Sequence, residues 1–250
     1  MNTTTAPLAY LKSIRSLLTH LEETQLPAIE KAADLIVAAL TNGGSVFCSD
    51  IGHGIQGDFI DRAGGLAAVH RFAHSFTVDD RIADKLKDRP RPEPVERDLD
   101  AVRLAVRSGN LRAGDVMLAG SVSGRGRTAV ELALACRELG VKTVGITSLA
   151  YTCKVTSAHP TGTKLCDAVD VVVDHGAPYG DAAVDIPGYD FKLLPVSGAA
   201  CAVVGHMIFG AVMEKMAALG KPATVFLSVN REGGMDFYKQ AVEQYNQQGY

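Results

Sequence analysis

Between residues 120 and 128 the chain reads Gly-Ser-Val-Ser-Gly-Arg-Gly-Arg-Thr. Ser121, Ser123 and Thr128 offer hydroxyls, Gly124 and Gly126 leave backbone N–H groups accessible, and Arg125 and Arg127 add positive charge. Donors and cations concentrated in so short a span suit an anion, in particular a phosphate, at the start of a helix. A second stretch, Asp50-Ile-Gly-His-Gly-Ile-Gln-Gly57, sets Gly52, Gly54 and Gly57 at the spacing of a dinucleotide fingerprint, with His53 and Gln56 between them. That fingerprint also needs an acid at the end of the following strand to hold the ribose. Asp79 and Asp80 lie too far along, inside a polar stretch beyond Arg71 and two histidines. A sugar-binding turn is therefore preferred to a NAD site, while glycines at this spacing also serve tight strand-to-helix turns without any ligand.

Two catalytic motifs are close to the serine stretch, of which the first is excluded and the second remains a minor reading. A nucleophile elbow, GxSxG, needs serine where Val122 stands. A phosphate loop of the GxxxxGK[ST] type needs glycine at Ser121 and lysine at Arg127. Groups able to move a proton lie elsewhere: Asp58 and Asp61 just after the first glycine loop, His206 in an apolar helix, and His159 in a polar loop. Asp58 and His206 are the favoured pair, with Asp61 in reserve and His53 available if the first loop closes over a sugar. An acid in a first helical turn also stabilises the helix dipole, and a histidine in an apolar helix also serves as a core residue. His70 and His74 alternate as in a strand and lack the glutamate of HExxH, so no metal is expected.

These residues need a scaffold. Residues 115–147 supply one βαβ unit: a short apolar run ending at Gly120, helical spacing of Ala129, Leu132, Leu134, Ala135 and Leu139, a glycine at 140 suited to the C-terminal cap, and the strand Val-Lys-Thr-Val-Gly-Ile-Thr. Before it come helices near 7–22 and 26–41, with Pro27 in the first turn of the second, then strands at 45–49 and 67–70. Residues 79–98, rich in Asp, Arg, Lys and Pro, read as an excursion, and a helix near 99–107 follows. Beyond the central unit lie a β-branched strand at 170–174, turns at 179–181 and 186–188, a helix at 198–219 capped by Ser197, and a terminal helix at 236–245.

The chain has 250 residues, 47% apolar and 21% charged, enough to bury the core of one α/β domain. A net charge of -3 gives no broad basic field, so nucleic acid is not an expected partner and a small anion must be held locally. Five cysteines without a CxxC pair fit reduced thiols in the cytoplasm. No segment reads as a membrane span or a targeting sequence. Leu8, Leu11, Ile14, Leu17, Leu18 and Leu21 form an apolar stripe suited to a core or a subunit contact.

Gly114-Asp-Val-Met-Leu-Ala-Gly-Ser-Val-Ser-Gly-Arg together with Gly140-Val-Lys-Thr-Val-Gly-Ile-Thr resembles the signature of sugar isomerase (SIS) domains. Similarity extends through Gly52-His-Gly, Arg62-Ala-Gly-Gly-Leu66, Ser157-Ala-His-Pro-Thr-Gly162, Asp174-His-Gly-Ala-Pro-Tyr-Gly-Asp181 and Pro222-Ala-Thr-Val-Phe-Leu-Ser-Val-Asn230, to a bacterial subgroup labelled phosphoheptose isomerase. The resemblance implies that Ser121, Ser123 and Gly124 bind the phosphate of a phosphosugar and that such domains pair through helices. In phosphoheptose isomerases the first loop carries a serine, the next helix a catalytic glutamate and the last helix a histidine. Gln56, Asp58 or Asp61, and His206 stand near those places here.

The expectation is a single α/β domain over residues 1–250, a three-layer αβα sandwich with a mainly parallel, flavodoxin-like sheet of five strands. The N-terminal helical segment 1–42 packs on it or on a partner. The expected protein is a cytoplasmic homodimer or homotetramer without a cofactor, binding a phosphosugar and isomerising aldose to ketose by enolisation. The alternatives are a phosphosugar sensor without catalysis, and a phosphosugar lyase or etherase.

Overall fold

The computed structural model describes residues 5–50, 53–90 and 97–250. Five strands, β1 (Val46–Cys48), β2 (Val69–Arg71), β3 (Val116–Gly120), β4 (Lys142–Thr147) and β5 (Val171–Asp174), form one sheet in the order β2-β1-β3-β4-β5. All four pairings are parallel. The central strands β1 and β3 are short and wholly apolar because helices cover both faces of a parallel sheet, whereas the edge strand β2 carries His70 and Arg71.

The period of two along β3 sorts the core. Val116 and Leu118 meet Ile29 and Ile36 of α2 (Leu26–Thr41) and Val204 and Ile208 of α7 (Ser197–Ala218). Met117 and Ala119 point the other way, toward Val102 and Val106 of α3 (Arg97–Ser108) and Val130 and Ala133 of α4 (Arg127–Leu139). The result is the expected three-layer αβα sandwich. At Gly145 in β4 a Cβ would stand 2.9 Å from Val169 Cγ2, so only glycine lets the segment before β5 approach this closely. Gly140 ends α4 in the left-handed region at φ 81, its N–H reaching the carbonyls of Arg137 and Cys136. Between α4 and β5 lie two single turns, α5 (Leu149–Thr152) and α6 (Leu165–Ala168). The chain ends with α8 (Gly234–Gln248).

The sequence expectations hold for the strands and the long helices and need correcting at four junctions. Helices α1 (Ala6–His20) and α2 are not separated by a loop: Leu21–Gln25 carries the chain through as a π-helical turn. Pro27 has no N–H to give to the preceding turn, and the wider turn accommodates the break. After Gly57 there is no α-helix. Ile55–Asp58 makes one 3-10 turn, and the left-handed φ values of Asp61 and Gly64 stop any continuation. Ser197 is not the cap of α7 but its first residue, and the capping acceptor is Asp181. The turns expected near 179–188 belong to an antiparallel hairpin of β6 (Ala182–Val184) and β7 (Leu193–Pro195).

Helix α7 is long and apolar enough to cross a membrane by length and composition. Here its buried face packs on α2 and the sheet. Gly205 in its middle admits the ring of Phe59, since a Cβ there would stand 2.2 Å from Phe59 Cζ. That contact fixes the first glycine loop against the helix.

Candidate functional site

The chain leaves β1 for β2 on one side and returns to β3 on the other. In parallel sheets this change of direction leaves a crevice beyond the carboxyl ends of the two strands. A cavity of about 650 Å³ lies there. Ser49, Asp50, His53 and Gln56 line it from the loop after β1, Phe72 and His74 from the segment after β2, and Ser121, Ser123, Gly126 and Thr128 from the turn after β3. Tyr151 and Asp181 complete the wall. The two glycine-rich loops singled out by the sequence therefore meet in one space.

The turn after β3 is built so that its donors face that space. Thr147 Oγ1 donates to the Ser121 carbonyl at 2.7 Å and Thr152 Oγ1 to that of Ser123 at 3.0 Å. The N–H groups of Ser148, Leu165, Ala158 and Val130 reach the carbonyls of Val122, Gly124, Arg125 and Gly126 at 3.0, 2.9, 3.1 and 3.1 Å. Every carbonyl from 121 to 126 is thus bound to the protein behind the turn. The N–H groups of Ser123, Arg125 and Gly126 meet no acceptor among the described residues. No side chain caps α4, so its first-turn N–H groups and its dipole are also open to an anion. The hydroxyls of Ser121 and Ser123 have no partner among the described residues either. Gly124 sits at φ 65 with Thr152 Oγ1 only 2.5 Å from where a Cβ would stand. Chemically, such a cluster of neutral donors is suited to an oxyanion.

His159, expected among the binding residues, is a brace behind the turn. It is 5% exposed, and its Nε2 lies 2.7 Å from Glu131 Oε2 on α4. Arg103 of α3 pairs with the other carboxylate oxygen. Burial alone would raise the Glu131 carboxyl, but hydrogen bonds from His159 and Arg103, and their charge, hold it below the usual carboxylate range. On the other side of the ring His159 Nδ1 lies 2.8 Å from Thr161 Oγ1, so both ring nitrogens are engaged. The loop so anchored delivers the N–H of Ala158 to Arg125 and, at its end, that of Leu165 to Gly124.

The other expected site residues are dispersed. Arg127 turns to Asp98 of α3, Nε to Oδ2 at 2.8 Å, and neither it nor the exposed Arg125 lines the cavity. Of the positive charge expected to serve the anion, that of Arg127 goes to an ion pair with α3 and that of Arg125 is exposed, so the donors lining the cavity from this turn are neutral. Asp58 and His206 line a separate cleft of about 220 Å³ with Phe59, Phe209 and Met213. Asp58 faces Arg62 at 3.6 Å, while the His206 ring stands edge-on to Phe59 at 5.6 Å. Asp61 is exposed at φ 53 and lines neither space. Gly54 adopts φ 83, its N–H held by Asp50 Oδ1 at 3.0 Å, and Gly52 lies outside the described residues. Among the described residues no group of three or more His, Cys, Asp or Glu is placed to hold a metal ion.

Residues 9–148, which contain the serine turn and strands β1 to β4, match the model of the SIS domain. The chain belongs to the SIS domain family. It is 33% identical over 236 residues to a UPF0309 protein of Halalkalibacterium halodurans, covering 93% of this chain and 94% of that one. A UPF0309 protein of Streptomyces coelicolor is 30% identical over 241 residues, with 95% and 94% covered. In fold, the SIS domain is similar to the phosphoheptose isomerase GmhA of Neisseria gonorrhoeae, with TM-score 0.52 and 15% identity over 82% of this chain and 95% of that one. It is also similar to the Vibrio vulnificus NanR protein complexed with ManNAc-6P, with TM-score 0.51 and 11% identity over 98% of this chain and 70% of the other.

Several groups lining the cavity of this SIS domain carry no signal in sequence. Ser49 and Asp50 close β1, and Tyr151 comes from the turn after β4. Asp181, a non-glycine residue at φ 64, stands among ordinary turn residues in sequence. Its partners are 15 and 16 residues away, so only the folded chain reveals it. Cys48 and Cys201 are buried, and burial, then a nearby aspartate, pushes both thiols up to about 12, which removes them as thiolate nucleophiles near the site.

Proposed function

We propose that this chain binds a phosphosugar with its phosphate on the Ser121–Thr128 turn and isomerises aldose to ketose by enolisation. The observation that carries the binding half is the tethering of every carbonyl from 121 to 126, while the N–H groups of Ser123 and Gly126 and the hydroxyls of Ser121 and Ser123, all on residues that line the cavity, have no partner among the described residues. Such a nest stabilises a phosphate through fixed donors and the α4 dipole, without a countercharge. The fold shared with a phosphoheptose isomerase and with a protein complexed with ManNAc-6P supports a phosphorylated sugar as the ligand class.

Enolisation needs a base beside the carbonyl and no cofactor. Asp58 and His206 are the proposed pair. Since they share a cleft apart from the cavity, their use requires a second copy that brings that cleft to a neighbour's cavity. The exposed Leu8, Leu11 and Leu18 on α1 and the exposed edge of α7 at His206 and Gly210 favour a homodimer or homotetramer. Within one cavity, Asp50, His53, His74, Tyr151 and Asp181 are the titratable groups able to move a proton. The five free cysteines support a cytoplasmic setting, and the net charge of -3 gives nucleic acid no basic field.

Binding without catalysis is the second reading, favoured by the separation of Asp58 and His206 from the cavity of the same chain. Solvent exchange separates the two. Candidate sugar phosphates incubated with the protein in deuterated water are expected to exchange the C2 hydrogen, followed by NMR, and Asp58→Asn and His206→Asn are each expected to suppress that exchange. Exchange that persists in the double variant would transfer the chemistry to the cavity's own groups. A sugar phosphate that binds and never exchanges would make the protein a sensor.

A further inference from the structure

The phosphate nest explains one end of a ligand, and the cavity holds a second recognition element of opposite character. Gln56 lines the wall, is 9% exposed, and its Oε1 meets no donor among the described residues. A buried carbonyl oxygen without a partner is unfavourable by itself and calls for a donor from the ligand. Asp181 is the other acceptor on the wall. Its Oδ1 accepts the N–H groups of Val196 and Ser197 at 3.2 and 2.8 Å, and its Oδ2 accepts Ser197 Oγ at 2.7 Å. A carboxylate offers about four acceptor positions, two on each oxygen. Three are filled by the described residues, and the remaining one is on Oδ2.

The two acceptors belong to adjoining elements. Gln56 follows Ile55, whose Cδ1 lies 3.6 Å from where a Cβ on Gly198 would stand, and Gly198 follows the serine that Asp181 holds. Asp181 also distinguishes the two helix starts. The N-terminus of α7 is already occupied by its carboxylate, whereas that of α4 is uncapped. No lysine or arginine lines the cavity among the described residues, so no permanent cation there competes with a ligand for Asp181.

We infer that Asp181, with Gln56, is a specificity-determining acceptor pair that reads a hydrogen-bond donor on the sugar, a hydroxyl or an ammonium, while the serine turn holds the phosphate. The assignment rests on the phosphosugar reading of this cavity and adds to it the chemistry of the ligand's other end. A simple phosphate or a phosphorylated alkyl chain satisfies the nest and leaves both acceptors unpaired. A phosphorylated polyol or amino sugar satisfies both.

The test compares inorganic phosphate, an aldose phosphate and its 2-amino-2-deoxy counterpart by calorimetry on the wild-type chain and on Asp181→Asn. Asparagine tolerates the left-handed backbone and keeps an oxygen for the α7 N–H groups, so the cap survives while the charge and the open acceptor position are lost. The affinity for inorganic phosphate should stay within twofold, and that for the better sugar phosphate should fall tenfold or more. A larger fall for the amino sugar identifies an ammonium as the donor, and an equal fall a hydroxyl. If phosphate and sugar phosphate weaken together, or neither changes, Asp181 is only the cap of α7 and the inference is overturned. Gln56→Leu leaves that cap untouched and should reproduce the loss of selectivity, and unchanged selectivity there also contradicts the inference. Failure of the phosphosugar reading looks different: the wild-type chain would then bind neither phosphate nor sugar phosphate.

Discussion

Gly124→Ala is expected to weaken sugar-phosphate binding by a hundredfold or more while the sheet still folds. The residue sits at φ 65, where an L side chain costs about 1–2 kcal/mol. The added Cβ would stand 2.5 Å from Thr152 Oγ1 and 3.1 Å from Thr147 Oγ1, the two hydroxyls that pull back the carbonyls of Ser123 and Ser121. Relief of that overlap must displace one tether or the turn itself. A shift of about 1 Å in a preorganised site is enough for a loss of about a hundredfold. Calorimetry gives the affinity and circular dichroism the fold. Wild-type affinity in this variant would mean that the turn is not the anion site.

Glu131→Gln is expected to lower stability by about 3 kcal/mol at neutral pH, the scale of removing one partner from a buried ion pair. Glu131 is 1% exposed and is held by His159 from one loop and Arg103 from α3. The effect has a definite pH dependence. Because the folded carboxyl titrates below its ordinary value of 4.5, its stabilisation is complete above that value and is lost as pH falls through the folded value. Urea midpoints of the wild-type and variant chains should therefore differ most near pH 7 and converge in acid. A gap that stays constant from pH 7 to pH 3 would show that the charge of Glu131 is not what holds the loop. Ligand affinity should fall as well, since the loop supplies donors to the carbonyls of Gly124 and Arg125.

The βαβ unit at 115–147 was legible because each of its signals is local: a short apolar run, helical spacing, and a glycine that must adopt a left-handed cap. The β-branched run before Asp174 and the apolar helix α7 were legible for the same reason. What escaped depends on contacts distant in sequence. Arg127 reads as an anion ligand until α3 brings Asp98 to it. His159 reads as a loop histidine until the fold places Glu131, 28 residues earlier, against its ring. Asp181 reads as a turn residue because its role depends on where α7 begins. The first glycine loop misled for a different reason. Its spacing fits the start of a helix, but the chain reaches Asp61 and Gly64 in left-handed conformations after a single 3-10 turn.

The most direct measurement is paired calorimetry of one sugar phosphate and the same sugar without its phosphate, on the wild-type chain and on Ser123→Ala. The hydroxyl of Ser123 has no partner within the chain among the described residues and lines the cavity, so its removal should cost about 1–3 kcal/mol of binding to a charged group and leave folding unchanged. The phosphorylated sugar is expected to bind, the free sugar is not, and Ser123→Ala is expected to weaken the former by that amount. Equal binding of both sugars, or an affinity indifferent to Ser123, would contradict it.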